Sequence, residues 1–492
     1  MSARLMIFRY LELMKNYESC YKSYDIRSVY DEPMDSTFTY SLGRGMGKHL
    51  MESIWKDATF VFGADVREAN NELIYWFLKG LEEEWITNYI GVGLPVENIS
   101  DQQQLWWVAS SAMLYYLWRN NFDMGAVFTA SHNPPEYVGM KVINNQWLLV
   151  PSWDLKAMVT DYLQVGEIDE DDMQRIREKA MGPENALISK VDESVETLSW
   201  MLAQKFWWLE KSVKIVVDYS NWAAIWYEKS FLEALWMSDQ FTFIHRDDKA
   251  DSTFSSHESD TTNPHDYKKL MKAVVDESAD FGVMFDGDGD RLWFVNNKGE
   301  FVSGDLMVAI QAKNILRNAE PGRAVVYDVT STNTIPEVIT QMWWVPIPSR
   351  VGHRYIKEKM VEHDAIYGGE LSGHLFFPEV GSIEFPLLAL YYTLAEMDEY
   401  ESFDQMVSEI CQYYKPPLVN YKVTDKEAVL ENIKKAYAEY DQDYTDGVRV
   451  NFADGWFLVR PSNTEPKMRM YAEASTKELC EQRVKELEKY LV

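Results

Sequence analysis

Four short stretches of the 492-residue chain hold side chains whose types and spacing can do chemistry. In the first, Ser131 follows the apolar run Gly125 to Phe128 and stands beside His132 and Asn133, ahead of Pro134 and Pro135. The prolines stiffen the turn, and a hydroxyl held this way can take a phosphoryl group and pass it to a bound hydroxyl. No Gly-x-Ser-x-Gly elbow surrounds Ser131, which argues against a serine hydrolase. In the second stretch Asp286, Asp288 and Asp290 alternate with Gly287 and Gly289, so three carboxylates face one side of an extended loop whose glycines permit close backbone approach. Three like charges there need a cation. Mg²⁺ takes oxygen ligands and commonly keeps phosphate oxygens among them, so Asp286, Asp288, Asp290 and a phosphorylated Ser131 form a suitable metal set. An EF-hand calcium loop fails, because Arg291 occupies the position that needs Gly and Asn297 the position of the bidentate Glu.

The third stretch alternates Glu370, Ser372 and His374 across a Gly-rich loop, giving two acceptors and a ring nitrogen that suit vicinal hydroxyls. The fourth, Arg460 to Arg469, combines two guanidiniums with Ser462, Asn463 and Thr464 in a turn whose backbone amides can converge on an anion, which makes a phosphate pocket. Gly43 to His49 imitates a phosphate loop, but neither Walker nor dinucleotide spacing fits and no Ser or Thr follows Lys48; packing glycines in a helix or turn are expected instead.

In chain order the strings are Thr129-Ala130-Ser131-His132-Asn133-Pro134-Pro135, Asp286-Gly287-Asp288-Gly289-Asp290-Arg291, Gly369-Glu370-Leu371-Ser372-Gly373-His374 and Arg460-Pro461-Ser462-Asn463-Thr464-Glu465-Pro466. The sequence resembles the α-D-phosphohexomutases, and within them the phosphomannomutase/phosphoglucomutase branch. Tyr24, Arg27, Lys141 and His353 match that family's YDIR, GMK and GH elements. The resemblance implies reversible transfer between hexose 1-phosphate and hexose 6-phosphate through a phosphoserine and a hexose 1,6-bisphosphate, with Mg²⁺ as cofactor. It also implies that Glu370 and Ser372 hold the sugar's 3- and 4-hydroxyls, so that glucose and mannose are both accepted. Catalysis would fall to Ser131, Lys141, Arg27, His353 and Arg291. Substrate binding would fall to Tyr24, His132, Asn133, Glu370, Ser372, His374, Arg460, Ser462, Asn463, Thr464 and Arg469. Phosphoglucosamine mutase is the nearest alternative, and a non-catalytic sugar-phosphate-binding relative is the alternative from another class. Departures from the family pattern are Ser28 and Ala64, Val138 before Gly139-Met140-Lys141, and Ser220-Asn221-Trp222 where Gly-Asn-Gly is usual; Thr330 and Asn333 replace basic residues.

These residues must be positioned by layered α/β structure. Val213 to Asp218, Phe281 to Phe285, Ala324 to Val329 and Ala365 to Tyr367 read as buried strands, with the Asp286 and Gly368 loops at their carboxyl ends. The resemblance implies three similar mixed α/β domains (1–188, 189–302 and 303–412) and a smaller C-terminal α+β domain (413–492) around a central cleft. In the last, Val448 to Phe452, Trp456 to Val459 and Met468 to Glu473 read as strands. Gln412 to Asp425, with Pro416 and Pro417, reads as a linker, and Ser475 is expected to cap a closing helix with its stripe at Cys480, Val484, Leu487 and Leu491. A net charge of −30 argues against nucleic acid and anionic membranes as partners; the resemblance implies a phosphorylated hexose as the ligand, and a monomer or small homo-oligomer is expected. No apolar run reaches the roughly 18 residues of a membrane span. Cys20, Cys411 and Cys480 form neither a disulfide framework nor a zinc site, which suits a reducing cytoplasm. The 18 tryptophans have no role in this reading.

Overall fold

The computed structural model describes residues 16–22, 25–93, 108–181, 211–225, 227–235, 240–257, 267–461 and 467–491, with isolated helical residues between 193 and 205. Four five-stranded sheets follow one another along the chain. The first holds β1 (Ile26–Val29), β2 (Thr59–Ala64), β3 (Asn88–Gly91), β4 (Met124–Phe128) and β5 (Tyr137–Asn144); the second β6 (Val213–Asp218), β7 (Phe241–Arg246), β8 (Phe281–Phe285), β9 (Leu292–Asn296) and β10 (Phe301–Val302). The third holds β11 (Ala324–Asp328), β12 (Val345–Ser349), β13 (Tyr367–Gly369), β14 (Leu375–Phe377) and β15 (Ile383–Glu384).

The three sheets share one wiring. Their orders are β1-β5-β4-β2-β3, β10-β9-β8-β6-β7 and β15-β14-β13-β11-β12. In each, three parallel strands meet an antiparallel pair at the strand that precedes a functional loop. The first sheet differs only at its edge, which β1 supplies from the start of the chain. The parallel strands β4, β8 and β11 are buried along their whole length, as expected of strands covered by helices on both faces. The three α/β units and the smaller fourth sheet thus agree with the fold class read from the sequence.

One apolar cluster runs from Val127 through Phe285 to Phe377, so the three α/β units share a core. The Ser110–Asn120 helix is wedged into it, with Tyr115 6.1 Å from the Phe385 ring. The Gly43 stretch is helical, within Ser36–Ser53, and a Cβ on Gly43 would come within 2.2 Å of the Phe77 carbonyl oxygen. These glycines therefore serve helix packing, not phosphate.

The fourth sheet, β16 (Val419–Lys422), β17 (Asp441–Asp443), β18 (Val448–Phe452), β19 (Gly455–Pro461) and β20 (Lys467–Ala474), is antiparallel in the order β16-β20-β19-β18-β17. It has its own core, and joins the third unit through Trp456, Leu458 and Tyr471 against Val329 and Leu371. Three local readings need correction. The expected linker contains β16, because once past the two prolines Val419 to Lys422 can pair with β20. The closing helix, Lys477–Leu491, is capped by Thr476, whose Oγ1 accepts from the Leu479 amide at 3.3 Å, and not by Ser475. The strand expected at Ala365 to Tyr367 runs instead over Tyr367–Gly369.

Candidate active site

Ser131 sits at the end of β4 with φ of 52°, a left-handed backbone that costs a non-glycine residue and persists only where its surroundings hold it. Arg67 is what holds it. Its buried guanidinium donates to the carbonyls of Ser131 (2.9 Å), Asn133 (2.7 Å), Pro134 (2.6 Å) and Tyr137 (2.7 Å), and to Asp65 Oδ2 (3.0 Å). Asp65 in turn accepts from Thr129 Oγ1, which receives the Ser131 amide at 2.9 Å. Arg27 braces the far side, donating to the Ala130 carbonyl and to Asn133 Oδ1 at 3.0 Å. Arg67 stands three residues after Ala64 in the sequence, where nothing local signals that one arginine serves four carbonyls.

The Ser131 hydroxyl lies 3.2 Å from His132 Nδ1 and 3.2 Å from Arg291 Nη2. Burial holds the His132 imidazole well below its ordinary pKa, helped by the cations Arg291, Arg27 and Lys141, so it is neutral. Arg291 spans to the aspartate loop, where its Nε donates to Asp286 Oδ2 at 2.7 Å and its amide to Asp286 Oδ1 at 3.1 Å. The Ser131 hydroxyl and the carboxylate triad are thereby joined through one guanidinium.

The loop itself is clamped by the start of the Ser110–Asn120 helix. Ser110 donates from its amide to the Asp288 carbonyl and from Oγ to Asp288 Oδ2, both at 2.7 Å, and Ser111 Oγ donates to the Gly289 carbonyl at 2.9 Å. Gly289, at φ 68°, leaves no room for a Cβ, which would come within 2.8 Å of Ala109 Cβ. No local motif marks these serines in the sequence, since they act across 178 residues.

Ligand atoms of Asp286, Asp288 and Asp290 lie within 4.8 Å of one another, all buried. Burial pushes the Asp286 carboxyl up to about 7 against the pull of Arg291, with Asp290 and Asp288 adding repulsion. For Asp290 burial is outweighed by the Lys141 ammonium and His374, which hold it well below the carboxylate range. Lys141 Nζ bridges Asp288 and Asp290, at 2.6 Å from the latter, and is raised despite burial by these two anions. Asp288 Oδ1 is buried without a hydrogen-bond partner among the described residues, and Asp290 Oδ1 has His374 nearby, at 3.5 Å. An oxygen set with open lone pairs and an excess of negative charge fits a hard divalent cation.

The Glu370–His374 loop abuts this site. His374 bridges to Arg291 in backbone pairing, and its Nε2 lies 3.5 Å from Asp290 Oδ1. Ser372 Oγ reaches both Glu370 Oε2 (3.0 Å) and His374 Nδ1 (2.7 Å), while Glu370 Oε1 accepts the Gly352 amide at 2.6 Å. His353 stands 5.4 Å from His374, ring to ring, and Glu384 accepts its Nδ1 at 3.0 Å. Burial opposes ionisation of Glu384, but Lys357 and His353 hold it down at about 2. Glu384 and Lys357 were not among the expected residues.

Arg460 and Arg469 are directly opposed in β19 and β20. Arg460 reaches Asp446 at 2.9 Å, and the Nε of each arginine is buried with no hydrogen-bond partner among the described residues. Tyr24, Ser462, Asn463 and Thr464 lie outside the described residues. Thr330 and Asn333 do not leave their region without cations: Lys415 donates to the Thr330 carbonyl at 2.5 Å, and Arg449 to the Val329 carbonyl and Asn333 Oδ1, each at 2.6 Å.

Family models for the four domains of phosphoglucomutase/phosphomannomutase match residues 19–162 (domain I), 203–299 (domain II), 303–414 (domain III) and 418–489 (the C-terminal domain). The chain belongs to the phosphoglucomutase/phosphomannomutase family. A phosphomannomutase of Methanocaldococcus jannaschii is 33% identical over 95% of this chain and 96% of its own length. A phosphomannomutase/phosphoglucomutase of Pseudomonas aeruginosa is 30% identical over 94% and 93%. Among solved structures, a phosphoglucomutase/phosphomannomutase family protein from Burkholderia thailandensis superposes with a TM-score of 0.76 at 21% identity, covering 96% of this chain and 97% of its own. Membership accounts for the repeated wiring of the first three sheets, and among the described residues no helix is long and apolar enough to cross a membrane.

Proposed function

We propose that this member of the family interconverts hexose 1-phosphate and hexose 6-phosphate, of mannose, glucose or both, through phosphorylated Ser131. The observation that carries the reading is the Arg291 link, 3.2 Å from the Ser131 hydroxyl and 2.7 Å from Asp286. In the forward step the P–Oγ bond of phospho-Ser131 breaks as a P–O bond to the free sugar hydroxyl forms, and the hydroxyl proton passes to a neighbouring base. The bisphosphate turns over, and Ser131 takes back the other phosphoryl group.

Each side chain has a task in that sequence. Arg291 and Lys141 sit where charge collects on the transferring phosphoryl oxygens. His353, its ring fixed by Glu384, is placed to exchange the hydroxyl proton. Glu370, Ser372 and His374 bind the sugar hydroxyls, and Arg460 with Arg469 grips the phosphate that is not moving. Asp286, Asp288 and Asp290 would hold Mg²⁺, which supplies electrostatic stabilisation of the phosphoryl oxygens when bound. A hexose 1,6-bisphosphate primes the serine, and the enzyme works in the cytoplasm.

A coupled assay with mannose 1-phosphate and glucose 1-phosphate, with Mg²⁺ and a trace of glucose 1,6-bisphosphate, tests the reading. Turnover of at least one substrate is expected. Binding of both without turnover of either would leave a sugar-phosphate-binding protein.

A further inference from the structure

Tryptophan occupies two kinds of position in this chain. Trp456 is a tryptophan site by every physical measure: it is fully buried, its indole Nε1 donates to Glu473 Oε1 at 2.9 Å, and the Arg449 guanidinium stands 4.0 Å from its ring centroid. Trp55, Trp85, Trp147 and Trp343 have φ of 86°, 67°, 61° and 67°, the left-handed region that a bulky residue rarely enters and that glycine enters freely.

The local hydrogen bonds say the same. Trp85 follows the Asn70–Glu83 helix, its amide donating to the Glu82 carbonyl at 2.9 Å while Ile86 donates to Leu81 at 3.1 Å. Trp343 follows Thr334–Gln341 with the same pair, Trp343 to Thr340 and Trp344 to Ile339, both at 3.0 Å. This doubly bonded, left-handed helix end is the one glycine ordinarily closes. Trp55 follows Ser36–Ser53 and donates to the Leu50 carbonyl at 3.1 Å. Trp147 takes the left-handed place in the short hairpin that leaves β5, donating to Asn144 at 2.9 Å, again a glycine position. Other left-handed helix ends here carry Asn121, Ser278 and Asp364, small polar residues, two of them the Asn and Asp types that tolerate the conformation.

Three of the indole rings gain nothing in exchange, whereas Trp147 meets Trp118 edge-on at 6.4 Å and Trp222 stacks on Phe254 at 3.7 Å. Trp55, Trp85 and Trp343 are 61%, 75% and 84% exposed, and Trp147 Nε1 is buried without a partner. Trp222 Nε1 is buried without one too, and the ring lies 2.1 Å from where a Cβ on Gly287 would stand. It occupies the second glycine position of the Gly-Asn-Gly element that the family resemblance leads one to expect. Glycine is correspondingly scarce: 24 in 492 residues, where average usage of about 7% gives about 34.

We infer that positions 55, 85, 147, 222 and 343 are glycine sites and that the working enzyme carries glycine there, through a codon its own cell decodes as glycine. UGA has the needed property, since some genetic codes read it as tryptophan and others as glycine, whereas UGG specifies tryptophan. The exposed indoles are therefore not a docking surface. At position 222 the inference rests on the mutase reading: glycine there clears the ring from beneath Arg67 and from Gly287, and restores close backbone approach beside the aspartate loop.

The test is peptide mapping of the protein purified from its own cells, with the gene's codons read alongside. Glycine at the five positions on UGA codons, and tryptophan at 456 on UGG, is the expected result. Tryptophan in the native peptides at 55, 85, 147 or 343 overturns the inference. Independently, W85G and W343G in recombinant protein should each raise Tm by about 2 °C; an unchanged or lower Tm for both contradicts the claim that these backbones are glycine's. Neither readout uses activity, so failure here is distinct from failure of the phosphoserine reading.

Discussion

The two ends of the cleft are held together in opposite ways. Around Ser131 the charges are interlocked: Arg67 lies on Asp65, Arg291 on Asp286, and Lys141 on Asp288 and Asp290, all buried. At the far end two arginines are set side by side in β19 and β20, with Asp446 as the carboxylate on Arg460 and with the Nε of each unbonded among the described residues. Like charges set so close are costly unless an anion joins them. The groups around Ser131 are thus preorganised by their ion pairs, whereas Arg460 and Arg469 are less fully paired among the described residues. Such a division suits a reaction in which the sugar must be released, turned and regripped while the phosphoryl donor stays fixed.

Substitutions at the two ends should therefore fail differently. Ser131→Ala removes the proposed phosphoryl carrier, and turnover in the coupled assay should fall by about 10⁴-fold or more with the fold intact by circular dichroism. Asp288→Asn should cost about 10²–10³-fold in kcat and weaken the response to added Mg²⁺. At the grip end Arg460→Ala should act mainly on KM, lowering kcat/KM by about 10–100-fold, because it removes charge-assisted bonds made in ground and transition states alike. A kcat loss as deep as that of Asp288→Asn would erase the proposed division.

Glu384 provides a smaller, pH-dependent effect. Its folded-state pKa of about 2 lies below the unfolded value near 4.3, so its contribution to stability is present above the unfolded value and is lost as pH falls through the folded one. Glu384→Gln should lose on the order of 2 kcal/mol at pH 7, with the difference from wild type shrinking as pH drops from about 4 towards 2. Denaturant titrations at pH 7 and pH 3 measure it; an equal loss at both would mean that packing, not charge, is what Glu384 contributes. The same variant should lower kcat more than it raises KM, since it acts through the His353 ring.

Much of this was legible in the sequence because chemistry and turn geometry coincide there. Asp286, Asp288 and Asp290 needed the intervening glycines, and Ser131 the flanking prolines, so each motif announced its own loop. Arg67, Ser110, Lys357 and Glu384 were not legible as site residues, because each acts on a partner remote in the chain: Arg67 on carbonyls 64 to 70 residues away, Ser110 on Asp288, Glu384 on His353. The likeness of the three α/β units implied by the family resemblance is borne out in their strand orders. Pairing repeats while the edge strand of the first unit comes from elsewhere in the chain. Thr476 displaced Ser475 as the cap because either hydroxyl suits that role and only the helix start decides between them.

The most direct test is intact mass and peptide mapping of the enzyme after incubation with Mg²⁺ and glucose 1,6-bisphosphate, beside Ser131→Ala. One phosphate, located on Ser131 and absent from the variant, is the predicted result. An unphosphorylated Ser131 in protein shown by calorimetry to bind the sugar would contradict the account.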